Sequence, residues 1–458
     1  MDTLIKNARV VDGGEVFAAD VLLKDGKISR VARGESLPAE AGVAIVDAAG
    51  KYLIPGVIDE HVHFREPGLT HKADIATESR AAVAGGVTSF MDMPNTMPPT
   101  VTREVLQQKF SIASETSLAN YSFYIGATNG NLGDILRADF SSVCGIKLFM
   151  GSSTGNMLVD DKEALQTLFT EAPALIAAHC EDEATIREST ARFKALADSG
   201  ALAPSASLHP RIRTSEACLA SSRLAAELAD KAGPRLHILH VSSAAELELF
   251  RSDIPLAQKK ITAETCPHYL CFDEGDYDAK GFAIKCNPAI KSRQDRAALA
   301  EALKTGAIDT IGSDHAPHLW SEKDTGDYFT AKSGFPSIQH NLQLMLDFVR
   351  EGSFGIADVV RLMSHNPAVL YGIDRRGFVK EGYWADLAIV DLGSETLISN
   401  EAELSKCGWT PYDGRMVHSR VTHTFVNGNL VYENGVIHDD SRGSALEFNH
   451  KFSTFAVQ

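Results

Sequence analysis

Tyr52-Leu53-Ile54-Pro55-Gly56-Val57-Ile58-Asp59-Glu60-His61-Val62-His63-Phe64-Arg65 is the stretch on which the fold turns. Its first half is apolar, as a strand buried on both faces must be. Alternate side chains of a strand point the same way, so His61 and His63 should lie together at its end. A lone histidine there reads as a packed core residue. Two do not, because burying a pair of unpartnered imidazoles is costly, and the pair reads as half a metal site.

Outward from this stretch, apolar β-like runs alternate with helix-like segments. The candidate strands are 56–63, 87–93, 121–125, 145–149, 174–179, 236–241, 261–265 and 310–314, and helical patterns at 75–84, 160–170, 215–232 and 293–304 separate several of them. That is the rhythm of parallel βα units. Eight units predict an α/β fold, a (β/α)8 TIM-like barrel over 55–379 with its active site at the carboxyl ends of the strands. Residues 1–54 and 380–458 read instead as short strands with turns such as Asp12-Gly13-Gly14 and Asn427-Gly428. Neither end can bury a good core alone, so the two are expected to meet in one small composite β-sandwich.

The remaining ligand-type residues fall at the ends of these strands. His179 ends Ala174-Leu175-Ile176-Ala177-Ala178-His179, His240 ends Leu236-His237-Ile238-Leu239-His240, and Asp314 ends Asp309-Thr310-Ile311-Gly312-Ser313-Asp314. Five such groups at four strand ends are hard to explain by packing. His237, three residues before His240, should face the other way and reads as structural. Lys147 is a lone lysine inside the apolar run Gly145-Ile146-Lys147-Leu148-Phe149. A snorkelling lysine is the ordinary explanation. A buried amine is also expensive to keep charged, and once neutral it can react with carbon dioxide to give a carbamate.

The chain has 458 residues, 44% of them hydrophobic and 23% charged, which fits a soluble globular protein with a sizeable core. A net charge of −16 argues against a nucleic-acid surface. The amino terminus carries charges where a signal peptide needs apolar residues, and no apolar run is long enough to span a membrane, so a cytoplasmic protein is expected. Seven cysteines without a CxxC pair read as reduced thiols. Cys180 and Cys266 adjoin candidate site residues and still read as buried structural thiols.

These residues, in this order, resemble the amidohydrolase superfamily, and within it the cyclic amidases: dihydroorotase, allantoinase and hydantoinase or dihydropyrimidinase. The resemblance covers essentially the whole chain. It implies two zinc ions per chain, with His61, His63 and Asp314 on one, His179 and His240 on the other, and a hydroxide and carboxylated Lys147 between them. Three stretches resemble the dihydroorotase branch: Arg65 in His61-Val62-His63-Phe64-Arg65-Glu66-Pro67-Gly68, the turn Met93-Pro94-Asn95-Thr96, and Gly312-Ser313-Asp314-His315-Ala316-Pro317-His318 followed by Lys323.

Dihydroorotate carries a ring carboxylate that hydantoins, dihydrouracil and allantoin lack, so its site needs a cationic, hydrogen-bonding clamp. Arg65 can grip a carboxylate bidentately, while Asn95 and His318 can each donate another hydrogen bond. The plain alternative for Arg65 is a surface ion pair with Glu66. Asn287 resembles the family element that meets the pyrimidine ring. Two departures are visible: the family's Asn-Pro-Pro-Leu-Arg stands as Asn287-Pro288-Ala289-Ile290-Lys291, and 334–340 lacks the usual Gly-x-Glu.

The resemblance implies reversible cyclisation of N-carbamoyl-L-aspartate to L-dihydroorotate and water, a step of pyrimidine (UMP) synthesis, with Asp314 as the catalytic proton carrier. The alternatives are an allantoinase or dihydropyrimidinase/hydantoinase, or a non-catalytic dihydropyrimidinase-like scaffold. A small-molecule substrate, a homo-oligomer, and neither nucleic acid nor membrane are expected as partners. Nothing in the sequence supports aspartate transcarbamoylase as another.

Overall fold

A computed structural model describes residues 2–151, 157–231 and 233–449. Eight strands lie side by side in parallel, Val57–Val62, Val87–Asp92, Asn120–Gly126, Gly145–Phe149, Ile176–His179, Leu236–Ile238, Ile261–Thr265 and Thr310–Ile311. All their residues except Ile261 are buried, which is why the sequence shows continuous apolar runs there. The His63 amide donates to the carbonyl of His315 at 2.8 Å and Val62 bridges His315, so the first strand meets the segment after the last and the sheet closes into a barrel.

Helices wrap the outside, and short polar side chains start them. Asp74, Thr102, Asp161, Asp182 and Ser292 each accept the backbone N–H three residues on, at the amino ends of Ile75–Ala84, Arg103–Thr116, Lys162–Glu171, Glu183–Asp198 and Arg293–Thr305. Each satisfies an amide that the helix itself cannot. Ser215–Lys231 follows the pattern read from sequence; Ala232, its expected last residue, lies outside the described residues.

Two strands are shorter than their apolar runs. The sixth stops at Ile238 and the eighth at Ile311. In both places a carboxylate takes the backbone amide that the next strand residues would offer: Glu264 Oε1 accepts from His240 N–H at 3.1 Å, and Asp59 Oδ1 from Ser313 N–H at 3.0 Å. The chain therefore turns early, and the site residues sit on the turns.

The two ends of the chain meet in one nine-stranded mixed sheet. Its seam is the antiparallel pairing of Tyr52–Pro55 with Leu387–Asp391, and Ile5, Val10, Val21, Leu53, Leu387 and Phe425 share its core. We propose the division into 1–54 with 380–458 and 55–379; residues 450–458 lie outside the described residues. The segment before them returns to the barrel, where Ala445 bridges Tyr121 and Leu446 is buried. All seven cysteines are unpaired. Burial pushes the Cys180 thiol up to about 12 and that of Cys266 well above its usual range, as expected of inert structural thiols. No helix among the described residues is long and apolar enough to cross a membrane.

Asp386 ties sheet to barrel. Buried, it pairs with the buried Arg376 and accepts from Asn120 Nδ2 at 3.1 Å and the Asn427 amide at 2.8 Å. Removing one member of such a pair leaves the other charge uncompensated. Asp386→Ala is expected to cost about 3–5 kcal/mol, read as a lowered urea midpoint; a midpoint unchanged from wild type would show that the link is dispensable.

Candidate metal centre and its cavity

One cavity at the barrel mouth is lined by all ten residues read from the sequence as site residues, His61, His63, Arg65, Asn95, Lys147, His179, His240, Asn287, Asp314 and His318, together with Phe149, Ala316, Ser333 and Gly334. At its floor, His61 Nε2 and His63 Nε2 converge on Asp314 Oδ1 at 3.3 and 3.1 Å. Their other nitrogens are held from behind, His61 Nδ1 by Glu264 Oε1 at 2.7 Å and His63 Nδ1 by Asn95 Oδ1 at 2.6 Å. An Nδ1–H held in this way leaves the Nε2 lone pair for a cation. Burial lowers the pKa of both imidazoles, which favours the neutral form that a ligand must take. Burial works against charge on Asp314, but His61 and His63 outweigh it and hold the carboxyl well below its usual range.

His179 and His240 stand beside this group. His179 Nδ1 is 2.8 Å from His240 Nε2, and the His61 and His240 ring centroids are 5.3 Å apart. His240 Nδ1 is buried without a hydrogen-bond partner among the described residues. Two such imidazoles crowded face to edge suit a second cation. Lys147 is fully buried, with Nζ 4.7 Å from the Phe149 ring centroid and no ion pair among the described residues. Burial lowers its pKa to about 8. The amine is thus partly neutral near physiological pH, the form from which a carbamate can be made.

Below this layer lies a group that the sequence reading missed. Glu60, His237 and Glu264 bring ligand atoms within 4.8 Å of one another, as do His61, His63 and Asp314. Both Glu60 oxygens and Glu264 Oε2 are buried without hydrogen-bond partners among the described residues, and burial raises the Glu60 pKa to about 8. His237, read as structural, does bond Thr262 Oγ1 at 2.9 Å, yet it belongs to this inward cluster. Two buried His/Asp/Glu groups are consistent with a binuclear metal centre. The signal available was Glu264 itself, a carboxylate inside the seventh apolar run.

Arg65 is buried rather than on the surface. Its Nε donates to Pro317 O at 3.0 Å and its Nη2 lies 3.1 Å from His318 Nε2. Glu66, the expected surface partner, accepts the Ile75 amide instead. Burial lowers the Arg65 pKa to about 10. Asn287 Oδ1 is buried without a hydrogen-bond partner among the described residues. Lys291 turns away from the cavity to Ser242 Oγ at 2.8 Å. Lys323 is fully buried and donates to Lys285 O and Lys332 O at 2.7 and 2.9 Å, which fixes the loop bearing Ser333 and Gly334. Gly334 has φ +116°, and a Cβ there would press on Ala316 O at 2.7 Å.

Arg65, His240 and Asp314 have φ of +67°, +42° and +45°. L-residues adopt that region at a cost, and the surroundings must impose it. All three are residues of the cavity.

The model of the amidohydrolase family matches residues 52–431. The chain belongs to the amidohydrolase family. Within the family it falls in the cyclic amidase group. It is 33% identical to the dihydroorotase of Methanosarcina acetivorans over 99% of this chain and 97% of the relative, and 34% identical to that of Ligilactobacillus salivarius over 94% and 99%. It is 32% identical to the L-hydantoinase of Paenarthrobacter aurescens over 95% of each chain. Among solved structures, the L-hydantoinase (dihydropyrimidinase) of Arthrobacter aurescens superposes with a TM-score of 0.90 at 30% identity, over 95% of this chain and 97% of that one. This amidohydrolase is a metal-dependent hydrolase of cyclic amides.

If Lys147 completes the centre as a carbamate, protein prepared with zinc and bicarbonate should hold two ions per chain, and Lys147→Ala or bicarbonate depletion should lower that number. Elemental analysis with native mass spectrometry reads both the ions and the added carbon dioxide. Two ions bound regardless of bicarbonate would reduce Lys147 to an ordinary buried lysine.

Proposed function

We propose that this amidohydrolase is a dihydroorotase, catalysing the reversible closure of N-carbamoyl-L-aspartate to L-dihydroorotate and water. The observation that carries the reading is Arg65, a buried guanidinium at the rim of the metal centre with His318 beside it and Asn95 across the same cavity. A buried cation facing a substrate cavity calls for an anion. Among the cyclic amides considered, dihydroorotate supplies a ring carboxylate, and Arg65, Asn95 and His318 together offer it charge-assisted hydrogen bonds.

On this reading each cavity residue has a role. His61, His63, His179, His240, Asp314 and carboxylated Lys147 would hold two zinc ions. Such ions supply Lewis acidity, polarising the amide carbonyl and acidifying water. Asp314 takes a proton from water in the hydrolytic direction and passes it to the ring nitrogen as the C–N bond breaks; in the synthetic direction it returns it. Arg65, Asn95 and His318 hold the carboxylate so that the reacting carbonyl stays over the centre. Asn287 meets the ring through its amide.

A hydantoinase is the second reading, favoured by Lys147 and by the close superposition on the L-hydantoinase. Comparing turnover of dihydroorotate, dihydrouracil, hydantoin and allantoin by one preparation decides between them: preference for a neutral ring would end the dihydroorotase proposal. Arg65→Ala should lower kcat/KM for dihydroorotate about 10- to 100-fold, the worth of one charge-assisted contact, while zinc content stays at the wild-type value. An unchanged kcat/KM would place the clamp elsewhere.

A further inference from the structure

His318 is held between two cations. Arg65 Nη2 is 3.1 Å from its Nε2, and Lys72 Nζ is 3.0 Å from its Nδ1. A guanidinium and an ammonium only donate, whereas a neutral imidazole offers one lone pair and one N–H. One of the two contacts must therefore set donor against donor. The surroundings favour Lys72 as the contact that is satisfied. Its Nζ is anchored on Glu322 Oε1 at 2.9 Å, and Glu322 is itself fixed by accepting the Leu319 amide at 3.0 Å. The backbone that carries His318 is fixed as well, its carbonyl accepting Trp409 Nε1–H at 2.7 Å. Glu322 Oε2, the acceptor that a proton on Nδ1 would need, lies at 3.5 Å, farther than the Lys72 donor.

We infer that Lys72 is a positioning residue: by donating to Nδ1 it fixes His318 with the proton on Nε2, so that His318 and Arg65 present two N–H groups needing a shared anionic oxygen. The inference rests on the proposed carboxylate clamp and deepens it. Without an anion, the Arg65–His318 contact is a mismatch. A ring carboxylate placed between them accepts from both and removes it. A neutral cyclic amide offers no such oxygen, so the arrangement selects for substrates bearing a carboxylate. Specificity of this kind comes from polar groups that only the right ligand can satisfy.

Nitrogen NMR of protein labelled with 15N-histidine reads the tautomer directly, with His318→Gln identifying the signal. Wild-type His318 should be the Nε2–H form, and Lys72→Met should convert it to Nδ1–H. In the same variant KM for dihydroorotate should rise about tenfold with kcat within about twofold. Zinc content and turnover of dihydrouracil should not change, and Lys72→Arg should restore KM. Lys72→Gln serves if Lys72→Met does not fold, and the wild-type tautomer needs no variant. An Nδ1–H tautomer in wild type, or an unchanged KM in both variants, overturns the role given to Lys72. Wild-type protein that ignores dihydroorotate but shows the predicted tautomer and its switch would count against the proposed reaction while leaving Lys72 in its place.

Discussion

Glu264 lies on the seventh barrel strand with Oε1 2.7 Å from His61 Nδ1 and 3.1 Å from the His240 amide. One oxygen thus joins the first, sixth and seventh strands at the level of the centre. The constraint behind it is general: a buried donor left without an acceptor costs the full desolvation penalty, so these positions are fixed to within hydrogen-bond tolerance. His61 is oriented by it, His240 is turned into left-handed backbone beside it, and Gly312 is required next to it, because a Cβ there would strike the Glu264 carboxylate.

Much of this was legible in the sequence, and the parts that were not share a cause. The barrel followed from apolar runs spaced by helical patterns, because periodicity is local information, and the histidines, Asp314 and Lys147 that line one cavity stood out at the ends of those runs or, for the lysine, inside one. Strand lengths at Ile238 and Ile311 were not legible, since carboxylates remote in sequence end them. Nor was the inward grouping of Glu60 with His237 and Glu264. In the first strand, Asp59 pairs with Phe90 while Val62 pairs with Asp92, so one extra residue is fitted in and strict alternation fails there. His237 was read from the same alternation and was found with Glu60 and Glu264. Ser333 and Gly334 reached the cavity through Lys323, which pins their loop from within.

The metal centre and the proposed clamp rest on different parts of the fold. The imidazoles, Lys147 and Asp314 sit on or just past barrel strands, where neighbouring ladders fix them. Arg65, Asn95, Asn287 and His318 sit on the loops beyond, where a barrel can change side chains without disturbing its core. That division makes sense of relatives with different names at similar identity: the dihydroorotase and L-hydantoinase relatives match the chain almost equally. On the proposed reading, the substrate is decided in the loops.

The contact that closes the barrel also has a kinetic side. His63 pairs through its backbone with His315 and through its ring with Asp314, partners about 250 residues away in sequence. Contacts of such sequence separation carry a large loop-closure entropy, so closing the barrel is a slow, non-local step. A cation that grips His61, His63 and Asp314 grips both sides of that seam. It would act as a clasp, binding the closed ring and not the open one, and its concentration would then set by mass action how rarely the barrel springs open.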